Sequence, residues 1–129
     1  MITLTNQDQQ LLQNSGVDGL ILFGSHAQNA ARKNSDYDFL VIGKKSVGSY
    51  DLVYDLLSKK INQLVDLDIV FAADAPVELK NHVVRYGQIL YQKNTAVFPD
   101  FKQQVMLESA DFAPYRAIFG NATLNRINL

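Results

Sequence analysis

The sequence predicts a single α/β domain in which helices pack on a small β-sheet. Helical and strand patterns alternate along the chain, which is typical of this class. Short apolar runs, such as residues 19–23 and 39–42, are continuous and therefore indicate buried strands. The length of 129 residues suits one domain with one hydrophobic core. Alternation alone favours a doubly wound parallel sheet.

In the first half of the chain, polar caps and apolar periodicity set the predicted element ends. The predicted elements are helix 5–14, strand 17–23, helical turn 26–33, strand 36–42 and helix 49–63. Thr5 or Asn6 caps the first helix, and Gly16 ends it. Ser49 caps the long helix, in which apolar residues recur with a period of 3.6.

In the second half of the chain, the pattern continues with shorter elements. The predicted elements are strand 65–72, a helix from Pro76 to Gly87, the edge strand 89–91 and helix 97–112. Proline suits the first turn of a helix. The aromatic residues of the last segment are interpreted as core, or as an oligomer or partner surface if they are exposed: Phe98, Phe101, Phe112, Tyr115 and Phe119. The tail after Pro114 shows no clear period.

Composition narrows the class of function. The formal net charge is −1, with 12 Lys and Arg against 13 Asp and Glu, which argues against broad binding to duplex nucleic acid. The chain has no cysteine, so disulfides and thiolate metal sites are excluded. No apolar stretch approaches the ~20 residues of a membrane span. We therefore expect a cytoplasmic protein without membrane contact.

A glycine and a serine follow the first strand, and two aspartates begin the second. Gly24 and Ser25 can present backbone N–H groups and a hydroxyl to phosphate oxygens, assisted by a helix N-terminus. Asp36 and Asp38, spaced i, i+2, point to one face of their strand. Carboxylates in this arrangement can share Mg²⁺ ions that also contact phosphate. The alternative is a turn with solvated carboxylates.

The third strand carries two further aspartates, Asp66 and Asp68, in an otherwise apolar run. Buried carboxylates are costly unless they are paired or bound to metal, and a solvent-facing polar face is the alternative. If this strand neighbours the second, carboxylates from both converge on one or two cations. Such a site can stabilise a leaving pyrophosphate, and a further carboxylate can act as general base. Either aspartate can fill that role.

These motifs together resemble the minimal nucleotidyltransferases of the polymerase β-like superfamily. The family pattern is Gly-Ser, a ten-residue gap and Asp-x-Asp, and GSHAQNAARKNSDYDF matches it, with Ser35 as the usual serine before the first aspartate. The third strand, VDLDIVFAADAP, resembles the family's aspartate strand and places the third carboxylate on Asp68. The later HVVRYGQILYQ resembles its closing helix, glycine and strand.

The resemblance implies a small mixed β-sheet flanked by helices, in a single nucleotidyltransferase domain over residues 1–129. The motif-bearing core spans about residues 17–92 and a C-terminal helical extension about 95–129. It implies a transferase that moves a nucleoside monophosphate from ATP or another nucleoside triphosphate to a hydroxyl, with two Mg²⁺ ions. Stand-alone members often act as antitoxins that adenylylate a HEPN-type toxin partner.

The resemblance also assigns roles to individual residues. Gly24, Ser25 and Ser35 bind the nucleotide, and Asp36, Asp38 and Asp68 are both catalytic residues and metal ligands. The family usually continues Gly-Ser-x-Ala-Arg-Gly, whereas this chain has Gln28 and Asn29 in place of the arginine and glycine.

The substitution at the arginine position bears on activity. Glutamine cannot supply the arginine's charge to a triphosphate. A binding-only antitoxin or scaffold with the same fold is therefore the alternative function. Two histidines complete the set of candidate side chains. His26 lies in the phosphate-facing turn and is interpreted as a plain surface residue, with nucleotide contact as the alternative, and His82 is interpreted as structural or solvated.

Overall fold

The computed structural model describes residues 2–32 and 35–110. The helices are α1 (Asn6–Asn14), α2 (Val47–Ile61), α3 (Val77–Tyr86) and α4, which includes residues 97–110. The strands are β1 (Val17–Phe23), β2 (Tyr37–Gly43), β3 (Leu67–Phe71) and β4 (Gln88–Gln92), and a 3-10 turn spans Ala72–Asp74. The last two residues of predicted helix 97–112, and the tail after Pro114, lie outside the described residues.

The four strands form one mixed sheet in the order β3-β2-β1-β4. Strand β1 is antiparallel to both β2 and β4, whereas β2 and β3 are parallel. The mixed sheet flanked by helices is thus confirmed, and the doubly wound parallel sheet that alternation alone favours is wrong. The difference arises because the described residues between β1 and β2 form no crossover helix, and a connection of this kind favours antiparallel pairing.

Helices cover both faces of the sheet. On one face, α1 and α2 bury Leu12, Val53 and Leu57 against the sheet. On the other face, α3 and α4 contribute Val83 and Phe101 to a second apolar cluster. The core interpretation of the aromatic set therefore holds for Phe101, which is 5% exposed, and for Phe98, which packs against the same cluster. Phe112, Tyr115 and Phe119 lie outside the described residues.

Helix α1 begins as predicted, with Thr5 as the N-cap, but the cap of α2 lies earlier than predicted. Ser46 is the N-cap of α2, and Ser49 is its third helical residue, which completes a capping box. The Ser49 Oγ accepts a hydrogen bond from the Ser46 N–H at 3.1 Å, and the Ser49 N–H donates to Ser46 Oγ at 3.0 Å. Ser49 is 1% exposed, so its hydroxyl is satisfied inside the protein rather than by water.

We expect Ser49→Ala to lower the free energy of unfolding by about 1–2 kcal/mol, because the Ser46 N–H loses its acceptor at a helix start. Thermal or urea denaturation measures the change. Ser58→Ala, at a partly buried position in the last turn of the same helix, is the matched control and should change stability much less. An equal loss in both variants would contradict the capping role.

The predicted helical turn 26–33 is wrong where the structure describes it. The Ala27 N–H donates to Gly24 O at 3.1 Å, and the Ala30 N–H donates to Ser25 O at 2.9 Å. The first bond spans three residues and the second spans five, so the bonds do not repeat as they would in a helix. Asn29 has a φ of 56°, in the left-handed region that a right-handed helix cannot contain. Residues 24–29 therefore form a series of turns, and no helix N-terminus stands behind Ser25.

The third strand is shorter than predicted. Strand β3 begins at Leu67, so Val65 and Asp66 precede it, although the Asp66 carbonyl still accepts a hydrogen bond from the Tyr37 N–H at 3.1 Å. Strand alternation thus applies to Asp68 but not to Asp66, and the two aspartates need not share a face. In the part of the chain that the structure describes, no helix has the length and apolar character needed to cross a membrane.

Candidate active site

The predicted site residues of three strands meet at one edge of the sheet. Phe23 at the end of β1 is paired with Asp38 near the start of β2, and Asp38 is paired with Asp68 near the start of β3. The antiparallel pairing of β1 with β2 and the parallel pairing of β2 with β3 bring these three strand ends together. Gly24, the next residue after Phe23, therefore lies beside the carboxylates.

Gly24 and Asp38 are in direct contact. Gly24 has a φ of +77°, a conformation that residues with a side chain rarely adopt. The position that a Cβ would occupy on Gly24 is filled by the Oδ2 atom of Asp38. Only glycine fits here, because both the backbone angle and the neighbouring carboxylate exclude a side chain. The turn and the carboxylate are therefore parts of one site.

The loop that follows Gly24 is held by its own backbone and by β4. The Ala27 and Gln28 N–H groups both donate to the Gly24 carbonyl, at 3.1 and 3.2 Å. From the neighbouring strand, the Gln88 side chain donates from Nε2 to the Ala27 carbonyl at 2.7 Å. Ser25 thus occupies a turn fixed on both sides. The Gln28 side chain itself is exposed.

Asp38 is the electrostatic centre of the site. Its pKa is raised above the ordinary value of 3.8, first by burial of the carboxylate and then by the negative charges of Asp68 and Asp36. Positive charge on His26 or His82, when either ring is protonated, acts in the opposite direction and lowers the pKa of Asp38. Asp68 and Asp36 are thus each close enough to repel the Asp38 carboxylate, and the fold concentrates negative charge at the strand ends.

The third carboxylate of this group is Asp68 rather than Asp66. Asp68 is in register with Asp38, and its charge contributes to the raised pKa of that residue. Asp66 precedes the strand and lines a cavity of about 380 Å³ with residues of α2, including Tyr54 and Ser58. Asp66 is exposed and has no strand partner that brings it against Asp38.

The remaining predicted site residues, Ser35 and Asp36, lie in the segment just before β2. Asp36 is exposed and precedes the first strand residue, Tyr37. Ser35 is partly buried, and its Oγ accepts a hydrogen bond from the Arg32 N–H at 2.8 Å. The serine therefore shapes the turn that leads into Asp36, while its own O–H can still donate.

His26, for which the sequence leaves both nucleotide contact and a plain surface position open, makes specific contacts within the loop. The ring is partly buried and stacks on Tyr37, with centroids 3.5 Å apart and planes 8° from parallel. Its Nε2 lies 2.9 Å from the Ser35 carbonyl oxygen. The contact joins residues nine apart across an irregular loop, so no periodicity in the sequence could reveal it.

His82 lies on α3 beside the same strand end. Its ring meets Phe23 edge-on at 6.3 Å and Tyr86 at 5.1 Å. Among the described residues, its Nδ1 is a buried nitrogen without a hydrogen-bond partner. The predicted structural role is consistent with these aromatic contacts, and the charge of the ring also lowers the pKa of Asp38.

The donor set at this edge suits a hard divalent cation. Over residues 2–32 and 35–110, no three His, Asp or Glu side chains are arranged as a ready-made metal site. Asp36, Asp38 and Asp68 nevertheless offer only carboxylate oxygen, which is the ligand type that Mg²⁺ prefers. A cation there would offset the repulsion that raises the pKa of Asp38. The residues therefore fit such an ion.

A glycine turn at a strand end, beside carboxylates on the next two strands of a mixed sheet, defines the class of nucleotidyltransferases. A family model described as "Polymerase beta, Nucleotidyltransferase" matches residues 6–96. The chain therefore belongs to this family of nucleotidyltransferases. No curated protein is similar enough in sequence to match the chain.

Solved structures share the fold over nearly the whole chain. A crystal structure of a toxin–antitoxin with AMP-PNP has a TM-score of 0.68 at 20% identity, over 96% of this chain and 98% of the other. A complex of the tri-AMPylated HEPN toxin of Shewanella oneidensis with MNT antitoxin has a TM-score of 0.59 at 19% identity, over 92% and 98%. The MntA–HepT toxin–antitoxin has a TM-score of 0.59 at 20% identity, again over 92% and 98%. At these identities the likeness concerns the fold.

Proposed function

We propose that this chain transfers a nucleoside monophosphate, AMP from ATP, to a hydroxyl group in a reaction that depends on Mg²⁺. The observation that carries the proposal is the contact between the Asp38 carboxylate and Gly24, which joins a phosphate-binding turn to a cluster of carboxylates. Family membership supports the same reaction class. A triphosphate bound at the turn would bring its phosphate oxygens to the carboxylate edge.

In the proposed complex, each part of the triphosphate has a place. Gly24 and Ser25 hold the β- and γ-phosphates through backbone N–H groups and the serine hydroxyl. The Ser35 hydroxyl donates to the nucleotide. Asp36, Asp38 and Asp68 hold the metal, which when bound supplies positive charge to the phosphates and the leaving pyrophosphate. The loop hydrogen bonds keep the turn in place before the nucleotide arrives.

The chemical step requires a base for the acceptor hydroxyl. Asp68 is assigned this role because it is exposed beside Asp38 and can meet an incoming acceptor. It accepts the hydroxyl proton as the hydroxyl oxygen bonds to the α-phosphorus, and the bond from that phosphorus to the β-phosphate oxygen breaks. The products are the adenylylated acceptor and pyrophosphate.

We propose a HEPN-type helical protein as the partner that carries the acceptor hydroxyl. The support is the likeness in fold to toxin–antitoxin complexes, one of which contains a tri-AMPylated HEPN toxin. The site is also open at the carboxylate edge, since Asp36 and Asp68 are both exposed. A macromolecular acceptor can reach such an edge without a closed pocket.

The test is the transfer of label from [α-³²P]ATP to a HEPN-type protein in the presence of Mg²⁺. We expect Asp68→Asn to reduce transfer by about 10²-fold, because a general base contributes 10²–10⁴-fold to such steps. The matched control is Asp66→Asn, which removes the same charge two residues away and should retain most of the activity. Equal transfer by both variants and the wild type would contradict the assignment.

A binding-only antitoxin is the second candidate function, and Gln28 favours it. This residue stands where the family has an arginine, and its side chain is neutral and exposed. The left-handed conformation of Asn29 shows that the loop keeps a glycine-like backbone despite the substitution. Calorimetry with ATP and Mg²⁺ discriminates the two, because a pure scaffold should give no metal-dependent heat.

A further inference from the structure

We propose that His26 is a positioning residue that joins the two halves of the site, the Gly24–Ser25 turn and the strand of Asp36 and Asp38. The inference deepens the proposed nucleotidyl transfer and rests on it. It concerns how this chain holds its carboxylates at a fixed distance from the phosphate-binding turn. The loop between them departs from the family pattern at Gln28.

The first observation is a hydrogen bond across the loop. His26 Nε2 lies 2.9 Å from the carbonyl oxygen of Ser35. A carbonyl oxygen can only accept, so the proton must be on Nε2 and the ring donates. That carbonyl belongs to the peptide group that links Ser35 to Asp36. The bond therefore fixes the backbone from which the Asp36 carboxylate projects.

The second observation is a column of stacked rings. His26 stacks on Tyr37 at 3.5 Å, and Tyr37 in turn stacks on Phe39 at 6.2 Å with planes 6° apart. Phe39 is fully buried in the core. The column therefore connects the loop to a rigid part of β2. Because Tyr37 and Asp38 are consecutive strand residues on opposite faces, fixing the tyrosine also fixes the direction of Asp38.

The contacts act on Asp36 at a position outside the strand ladder of β2. Asp36 is exposed and precedes the first residue of β2. On the other side of the loop, His26 follows Ser25 directly and moves with the turn. One side chain thus sets the spacing between phosphate-binding and carboxylate groups, which must be held closely for transfer.

Three substitutions at His26 separate the contribution of ring stacking from that of the hydrogen bond. His26→Phe keeps a ring that can stack but removes the donor, His26→Gln keeps an amide donor but removes the ring, and His26→Ala removes both. His26 and Tyr37 line a surface cavity of about 560 Å³ with Asn29 and Gln88, so removal of the ring enlarges this cavity rather than leaving a sealed void. The variants should therefore fold.

The kinetic expectation is a loss in kcat with a smaller change in KM. The phenylalanine variant should transfer AMP about fivefold more slowly, since one hydrogen bond of ~1 kcal/mol is removed, and the alanine variant more slowly still. The KM for ATP should change less than about threefold, because the Gly24–Ser25 turn is kept. His26→Gln should transfer AMP faster than His26→Ala, because it keeps a hydrogen-bond donor.

Two readouts are independent of transfer. Mn²⁺ binding, followed by electron paramagnetic resonance, should weaken about tenfold in His26→Ala, because Asp36 loses its fixed backbone. Nitrogen-15 spectra of the wild-type imidazole should show a proton on Nε2. If the wild type transfers no AMP, the proposed function fails, whereas Mn²⁺ binding and the ring spectrum still decide the role of His26.

The control for a merely structural role is Ser49→Ala, which lowers stability at the cap of α2, away from the loop. If it reduces kcat as much as His26→Ala at a matched loss of stability, the positioning role is overturned. The role is also overturned if the wild-type ring carries its proton on Nδ1 alone, or if His26→Ala retains wild-type kcat and Mn²⁺ affinity.

Discussion

Replacing Asp38 with Asn is expected to abolish AMP transfer and at the same time to make the protein more stable. Activity should fall by about 10³-fold or more, because removal of a charged metal ligand forfeits several kcal/mol of charge stabilisation in the transition state. Stability should rise because the carboxylate is partly buried and repelled by Asp68 and Asp36, which asparagine is not. A loss of activity with a gain in stability is typical when a residue that serves function rather than folding is replaced.

The pH dependence of this gain follows from the direction of the pKa shift. The pKa of Asp38 is raised in the folded protein above its ordinary value of 3.8, so folding favours the protonated carboxyl. Its contribution to stability is therefore fully present below about pH 3.8 and is lost as the pH rises through the folded pKa. At neutral pH the ionised group costs stability, and the asparagine variant avoids that cost at every pH.

Thermal denaturation of both proteins from about pH 3 to pH 7 measures this difference. We expect the melting temperature of the variant to exceed that of the wild type by a few degrees at neutral pH and by less in acid. Asp8 contributes in the opposite sense, since its hydrogen bonds with Lys60 and Thr5 lower its pKa and stabilise the protein away from acid. That effect is common to both proteins and cancels in the difference. A variant less stable than the wild type at pH 7 would contradict the account.

Much of the fold could be predicted because its determinants are local. The apolar run that ends at Phe23 and the helix that ends before Gly87 were located from composition and periodicity alone. Parallel or antiparallel pairing could not be read from alternation, since it depends on how loops cross the sheet. The mixed sheet came from the resemblance, which carries information on topology that propensity lacks.

The site was predicted in its residue types but not in its contacts. The spacing of Gly24, Asp38 and Asp68 is visible in the sequence, whereas the packing of Asp38 on the glycine depends on the register between β1 and β2. The choice between Asp66 and Asp68 depends on where β3 begins, and strand ends are weakly specified by propensity. The contact of His26 with Ser35 depends on an irregular loop, for which sequence periodicity gives no rule.

Gly24→Ala is expected to impair both folding and activity. A left-handed backbone conformation costs a residue with a side chain about 1–2 kcal/mol, and the added methyl group would displace the Asp38 carboxylate at a further cost of about 1–3 kcal/mol. The free energy of unfolding should therefore fall by about 2–5 kcal/mol. Transfer should fall by about 10²-fold or more, since displacement of a catalytic group by ~1 Å has that effect. Denaturation and transfer assays measure the two losses.

Gly48→Ala is the matched control, because the same methyl group makes only an ordinary van der Waals contact. Its nearest neighbour would be Ser46 Oγ at 3.9 Å, and Gly48 lies in the first turn of α2. An alanine there should stabilise the protein by about 0.4–1 kcal/mol and leave transfer unchanged. If both glycine variants lose stability alike, the effect at Gly24 belongs to glycine in general and not to this contact.

A double-mutant cycle separates the two causes of the loss at Gly24. In an Asp38→Ala background the carboxylate is absent, so the new methyl group has room and only the backbone strain of about 1–2 kcal/mol should remain. The difference between the two backgrounds is the energy of the clash with the carboxylate. A coupling near zero would mean that Asp38 moves aside freely, and the turn and the carboxylate would then not be held against each other. A coupling of about 1 kcal/mol or more would mean that the fold itself presses the phosphate-binding turn onto the carboxylate.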